Sequence, residues 1–167
     1  MAKISVLLAL IALTLSTHAE GRWTIGEDRV YTNGTTVDVH KFGYFKDEEW
    51  CDYDLVFIEW STYNDGIEVF KGVDVKVALR LTKEKEVAAV MSATLMNTFN
   101  VSTLMTLANF KTVILSKELS EDIRGSSSVE LTFVGPDELI SKLDIQSDTF
   151  DISGLASAYS QLNHSCQ

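Results

Sequence analysis

The amino-acid sequence predicts a mainly β fold: an antiparallel, β-sandwich-like single domain with short helices and a C-terminal amphipathic helix. Three observations predict it. Val73, Val75, Val77, Leu79 and Leu81 alternate with Asp74, Lys76, Ala78 and Arg80, the two-residue period of a strand with one buried face. Asp54 to Tyr63 is apolar on both faces, Leu55 and Phe57 on one and Val56, Ile58 and Trp60 on the other, as a covered central strand requires. Leu155, Tyr159, Leu162 and Cys166 fall at i, i+4, i+7 and i+11, one stripe of a helix.

The elements follow in chain order. Arg29 to Thr32 and Thr35 to Val39 flank Asn33-Gly34, which predicts a hairpin, because Asn-Gly readily takes the positive φ of a type I′ turn. Strand 54–63 ends at Asn64-Asp65-Gly66. Strand 73–81 leads through the charged turn Lys83 to Glu86 into a return strand carrying Val87, Ala89, Met91, Ala93 and Leu95. A helix across 84–96 is the competing reading, since Ala and Met favour helices. Ser102 caps a short helix over 102–109. Lys111 to Ser116 is β-branched and reads as a strand. Leu119 and Ile123 share one face of a helical turn that Gly125 and three serines end. Val129 to Val134 and Leu139 to Ile145 form a hairpin around Gly135-Pro136-Asp137, with Pro136 at the second turn position. Ser153 caps the last helix, whose stripe docks on the sheet and turns Cys166 inward.

Residues 1–19 carry Lys3, a short apolar run from Ile4 to Leu13, and the small-x-small ending Thr17-His18-Ala19. That is the layout of a secretory signal peptide, too short for a permanent membrane span. The mature chain then runs from 20 to 167 as a single mainly β domain, periplasmic or secreted. The formal net charge of −10 sets the chain against phosphate backbones and excludes nucleic acid as a natural partner. In an oxidising compartment the two cysteines, Cys51 and Cys166, read as one disulfide that staples the last helix to the strands; two free thiols are the alternative.

The ending Phe150-x-Ile152-Ser153-Gly154-Leu155-x-x-Ala158-x-x-x-Leu162-x-x-x-Cys166 resembles the close of small bacterial envelope proteins of the invasion-associated locus B family and of some type VI secretion accessory proteins. The resemblance implies a compact, β-sandwich-like periplasmic protein without known catalytic residues, and a cysteine that closes the last helix. The four-cysteine pattern of many locus B members is not present.

The residues assemble no catalytic, cofactor-binding or metal-ligating motif. His18 leaves with the leader, and His164 suits a helix C-terminus. His40 shares a strand face with Asp38. That pair, joined by nearby carboxylates, would suit a secreted hydrolase, although a surface contact is the simpler reading. The acids Asp47, Glu48, Glu49, Asp52 and Asp54 would suit a Ca²⁺-binding surface protein, but their spacing matches no calcium loop. Alternation assigns Trp60 and Phe57 to the core and leaves Trp50, Tyr53 and Tyr63 as candidate interface residues. Asn33, Asn100 and Asn163 begin Asn-x-Ser/Thr sequons, which matter only where the source glycosylates exported chains. These features together predict an exported, non-enzymatic binding or accessory protein that meets another envelope or extracellular protein.

Overall fold

The structure, a computed structural model, describes residues 23–82 and 86–162. Its strands are β1 Thr24–Ile25, β2 Arg29–Asn33, β3 Lys41–Phe45, β4 Asp54–Thr62, β5 Asp74–Leu81, β6 Ala89–Asn100, β7 Thr106–Ile114, β8 Ser128–Gly135 and β9 Ser147–Asp151. The helices are α1 Lys117–Gly125, α2 Asp137–Ile140 and α3 Leu155–Ser160, with 3-10 turns at Glu48–Trp50 and Ile67–Phe70. All strand pairs are antiparallel, in the order β1-β2-β3-β4-β7-β6-β5-β8-β9.

The fold is therefore mainly β and antiparallel, with short helices. It differs from the expected sandwich in that the nine strands form one curled sheet. The corner is β6. Its first half pairs with β5, from Asp74↔Thr94 to Leu79↔Ala89, and its second half pairs with β7, from Thr94↔Lys111 to Asn100↔Thr106. The register shifts between Leu95 and Asn97. Such a bulge bends a strand and sharpens its twist, so the sheet turns back on itself without a break.

The two ends of the sheet then meet. Gly34, directly after β2, bridges to Phe150 of β9, and Thr35 N donates to Thr149 O at 2.8 Å. Inward residues of every strand from β2 to β9 fill the curl as one cluster, including Val30, Phe42, Trp60, Leu79, Leu95, Phe110, Leu131 and Phe150. Leu155, Ala158 and Leu162 join it from the C-terminal segment.

Several expectations hold. Strand β4 is central and buries Leu55 and Phe57 on one face and Val56, Ile58 and Trp60 on the other. Strand β5 buries Val75, Val77, Leu79 and Leu81 in strict alternation. The segment from Ala89 is a strand, not the competing helix, and buries Met91, Ala93 and Leu95. The helical turn that carries Leu119 and Ile123 and ends at Gly125 is α1; its N-cap is Ser116, which the sequence reading places in the preceding strand and whose hydroxyl accepts from Leu119 N.

Four local expectations are corrected. Asn33-Gly34 does not form a type I′ hairpin: β3 begins only at Lys41, and Gly34 is not among the left-handed glycines. Gly34 is needed for close approach instead. A Cβ there would collide with Asp148 Oδ2 and stand 2.7 Å from Val37 O. Residues 101–105 are a hairpin turn rather than a helix start. Ser102 Oγ accepts from Leu104 N and Met105 N, the same local bonding that an N-cap uses, which is why the two read alike. Leu139 to Ile145 is not a strand. Pro136 is the N-cap of α2, its carbonyl accepting from Leu139 N and Ile140 N, and Leu139, Ile140 and Leu143 enter the core. β8 pairs with Ser147–Asp151 instead. Last, α3 has Gly154 at its N-cap, with φ 79°, in place of Ser153. The leader, the turn residues Lys83 to Lys85, the Asn163 sequon, His164 and Cys166 lie outside the described residues.

Candidate functional site

Loop 34–40 wraps over one buried acid. His40 is 1% exposed and its Nδ1 lies 2.9 Å from Asp148 Oδ2, on a side chain that is 0% exposed. Asp148 Oδ1 also accepts from Thr36 N at 2.9 Å and from Thr149 N at 2.7 Å, and Oδ2 accepts from Val37 N at 3.1 Å. Four donors thus converge on one carboxylate, which suits a group that only accepts. The His40 ring stacks on Trp60, with centroids 4.0 Å apart and planes 18° from parallel. Trp60 Nε1 in turn donates to Ile145 O at 2.6 Å.

The expected partner of His40, Asp38, is not its partner. Asp38 Oδ1 takes a hydrogen bond from Asn33 Nδ2 at 3.3 Å. Nor do the acids of 47–54 gather at His40. His40 lies beside Trp60, six residues along β4 from Asp54, roughly 20 Å at the ordinary strand rise. Sequence reasoning missed Asp148, although it sits two residues before the inward Phe150 and so shares its face.

Burial holds the His40 imidazole below its ordinary pKa of 6.5, against the opposing Asp148 carboxylate and a hydrogen bond to the Ser61 backbone. An unfolded chain therefore binds this proton more readily than the folded one. The contribution is complete above pH 6.5 and is lost as pH falls below that value toward the folded pKa, at no more than about 1.4 kcal/mol per pH unit. We expect urea denaturation midpoints to fall between pH 7.5 and 5.5, and His40→Gln to flatten that slope. An unchanged slope in the variant would assign the pH dependence elsewhere.

A histidine beside a carboxylate has the composition of a general base. Here neither group opens to solvent and their polar atoms face the protein. Geometrically the pair is a fastening that holds loop 34–40, and hence the end of β2, onto β9.

A second polar cluster lies at the other end of β4. Asp54 Oδ2 accepts from Arg124 Nη1 of α1 at 2.8 Å, and Asp54 Oδ1 is hydrogen-bonded by the Tyr159 hydroxyl of α3. The Arg124 and Lys46 cations lie 5.2 Å and 5.1 Å from the Tyr159 ring centroid. Tyr44 packs edge-on against Tyr159 at 5.4 Å, and burial pushes both phenols well above their ordinary range. The cluster ties α1 and α3 to the start of β4. It borders a cleft of about 360 Å³ lined also by Cys51, Asp52, Tyr53, Lys117 and Ser120. Of the five acids of the calcium reading, two are engaged elsewhere: Asp47 Oδ1 accepts from Glu49 N and Asp54 is held as above. Among the described residues no three His, Cys, Asp or Glu side chains gather to hold a metal ion.

The candidate interface residues are exposed. Trp50 and Tyr53 stand together at 5.8 Å between ring centroids, flanking Cys51. Tyr63, the most exposed of the three, follows the far end of β4, so the structure does not unite it with them. Its amide is fixed by Asp144 Oδ2 at 2.5 Å.

No protein-family model, curated protein or solved structure matches this chain. No helix among the described residues is long and apolar enough to cross a membrane.

Proposed function

We propose that this chain is an exported, non-enzymatic binding or accessory protein that works in the periplasm or outside the cell. The observation that carries the reading is the sealed His40–Asp148 pair. It has the chemistry of a hydrolase and none of the access, because its polar atoms are spent inside the fold. Support for a binding role comes from the adjacent exposed rings of Trp50 and Tyr53, residue types enriched at protein interfaces. Cys51 lies between them and pairs with Cys166, in the manner of the envelope proteins that the C-terminal segment resembles. The partner is another envelope or extracellular protein, and the acidic balance of the chain sets it apart from nucleic acid.

The test is an intact-mass measurement of the purified native protein under non-reducing conditions, followed by a turnover assay. The reading expects a chain that lacks residues 1–19, weighs two hydrogens less than its reduced form, and leaves candidate ester, peptide and glycoside substrates intact. A retained Met1 or two thiols open to alkylation would overturn the export and pairing. Turnover abolished by His40→Gln in a variant that still folds would overturn the non-enzymatic reading.

A further inference from the structure

The chain has a formal net charge of −10 and only 14 bases, yet Lys46, Lys117 and Arg124 line one cleft. It is the opening of about 360 Å³ beside the Asp54–Tyr159 cluster, between the start of β4, the end of β7 and the first turns of α1. Its carboxylates are Asp52 and Asp54, so three cations face two anions. Asp54 is spent on Arg124 Nη1 and the Tyr159 hydroxyl. Lys46 Nζ reaches Cys51 O only at 3.5 Å. Lys117 meets Glu121 at 4.0 Å with 89% of its side chain exposed, a contact worth little. Both ammonium groups therefore keep capacity for another anion.

Helix α1 adds donors. It is nine residues long, and its first turn, the positive end of the helix dipole, lines the cleft at Ser116 and Lys117. Ser116 Oγ takes the Leu119 amide, but the Lys117 amide meets no acceptor among the described residues. Ser120, one turn further along, also lines the cleft. It is 4% exposed, and its hydroxyl has no hydrogen-bond partner among the described residues. A buried polar group left so is costly unless something satisfies it. Dipole, cations and unclaimed hydroxyl all suit an anion.

The walls narrow its chemistry. A phosphate dianion would meet Asp52 and Asp54, whereas a single negative charge matches the excess. Ile114, Leu115 and the Tyr53 and Tyr159 rings add apolar wall. The volume is at the small end of ligand sites, room for a carboxylate and one side chain. Trp50 adjoins Tyr53 and extends the exposed aromatic surface beyond the cleft. We propose that this cleft receives the C-terminal carboxylate of a partner polypeptide that ends in an apolar residue. The carboxylate sits at Lys46, Lys117 and the first turn of α1, and the last side chain packs against Leu115 and Tyr53. This rests on the binding role proposed above and names what is bound. Capture of a chain terminus by backbone N–H groups is a recurrent mode of peptide recognition.

The test is a titration of the purified, oxidised protein, labelled with ¹⁵N and followed by its amide resonances. The probe is N-acetyl-Gly-Leu, compared with its C-terminal amide, hexanoate and inorganic phosphate. The carboxylate probe should shift the Lys117 and Ser120 amides saturably, with Kd about 5 mM or tighter, and the amide should not. Lys117→Gln and Lys46→Gln should each weaken binding about two- to fivefold. Lys76→Gln, which removes an exposed cation on β5, should leave it unchanged. Lys117 is exposed, so its variant keeps the fold even where Lys46→Gln, which loses its contact with Tyr159, does not. No saturable shift up to about 50 mM, including from a cleft filled by residues 163–167, overturns the proposal. So does equal binding of the amide, an equal effect of Lys76→Gln, or phosphate binding more tightly than the probe. Hexanoate binding as tightly as the peptide overturns the polypeptide source. Intact mass and turnover, measured on the same sample, decide the export and non-enzymatic readings separately.

Discussion

Asp148→Ala is expected to destabilise the fold by about 3–5 kcal/mol, because a buried donor left without its acceptor costs about 1–3 kcal/mol and several donors share this carboxylate. The substitution leaves the amides of Thr36, Val37 and Thr149 and the His40 ring without their acceptor. Unsatisfied donors in a dry interior keep their full desolvation cost. Because a domain of this size is stable by only about 5–15 kcal/mol, the loss takes a large share of the total. Urea denaturation at pH 7.5 measures it. A loss below about 1 kcal/mol, typical of a surface pair, would mean that the seam between β2 and β9 is not held by this carboxylate.

Trp60→Ala carries the second large effect, about 3–5 kcal/mol, typical of large-to-small changes at a buried aromatic. Trp60 is fully buried at the centre of the curl. It stacks on His40, meets Phe133 edge-on at 5.0 Å and lies 6.2 Å from Phe150. Its removal opens a cavity between β4, β8 and β9, and it strands the Ile145 carbonyl that its indole N–H now satisfies. For a chain of this length the corresponding fall in thermal midpoint is on the order of 10 °C. Trp60→Phe keeps most of the volume but not the donor, and should lose less. Equal losses in the two variants would place the energy in the hydrogen bond instead of the packing.

Both effects meet at a place that the sequence concealed. β4, β5 and the start of β6 were legible because burial imprints a period on side chains: two faces apolar for β4, alternate residues apolar for β5. β9 had no such imprint. Ser147-Asp148-Thr149-Phe150-Asp151 shows one apolar residue, and its other inward residue is an acid. Nothing local distinguishes a buried aspartate that meets three backbone amides from a solvated one. His40 and Asp148 are 108 positions apart, so the pair exists only after the sheet has curled. Gly34 misled for a related reason. Its missing Cβ makes room for that carboxylate, and such a long-range need looks in sequence like a tight turn. The chemistry of His40 was likewise half legible. The sequence predicts a carboxylate partner, but the near one, Asp38, faces Asn33 instead. The surroundings of acids and turn residues mark Trp50, Tyr53 and Tyr63 as exposed rings, whereas the grouping of the first two depends on the 3-10 turn that precedes Cys51.

The most direct test is residue-resolved amide hydrogen exchange at Thr36 and Val37. Both lie in a connection outside the strands, where amides ordinarily exchange fast. If the Asp148 carboxylate fastens the curled sheet, these two should exchange only at the rate of global unfolding and lose their protection in Asp148→Ala. Fast exchange of both in the wild-type protein, while the β4 and β7 amides stay protected, would contradict the closure.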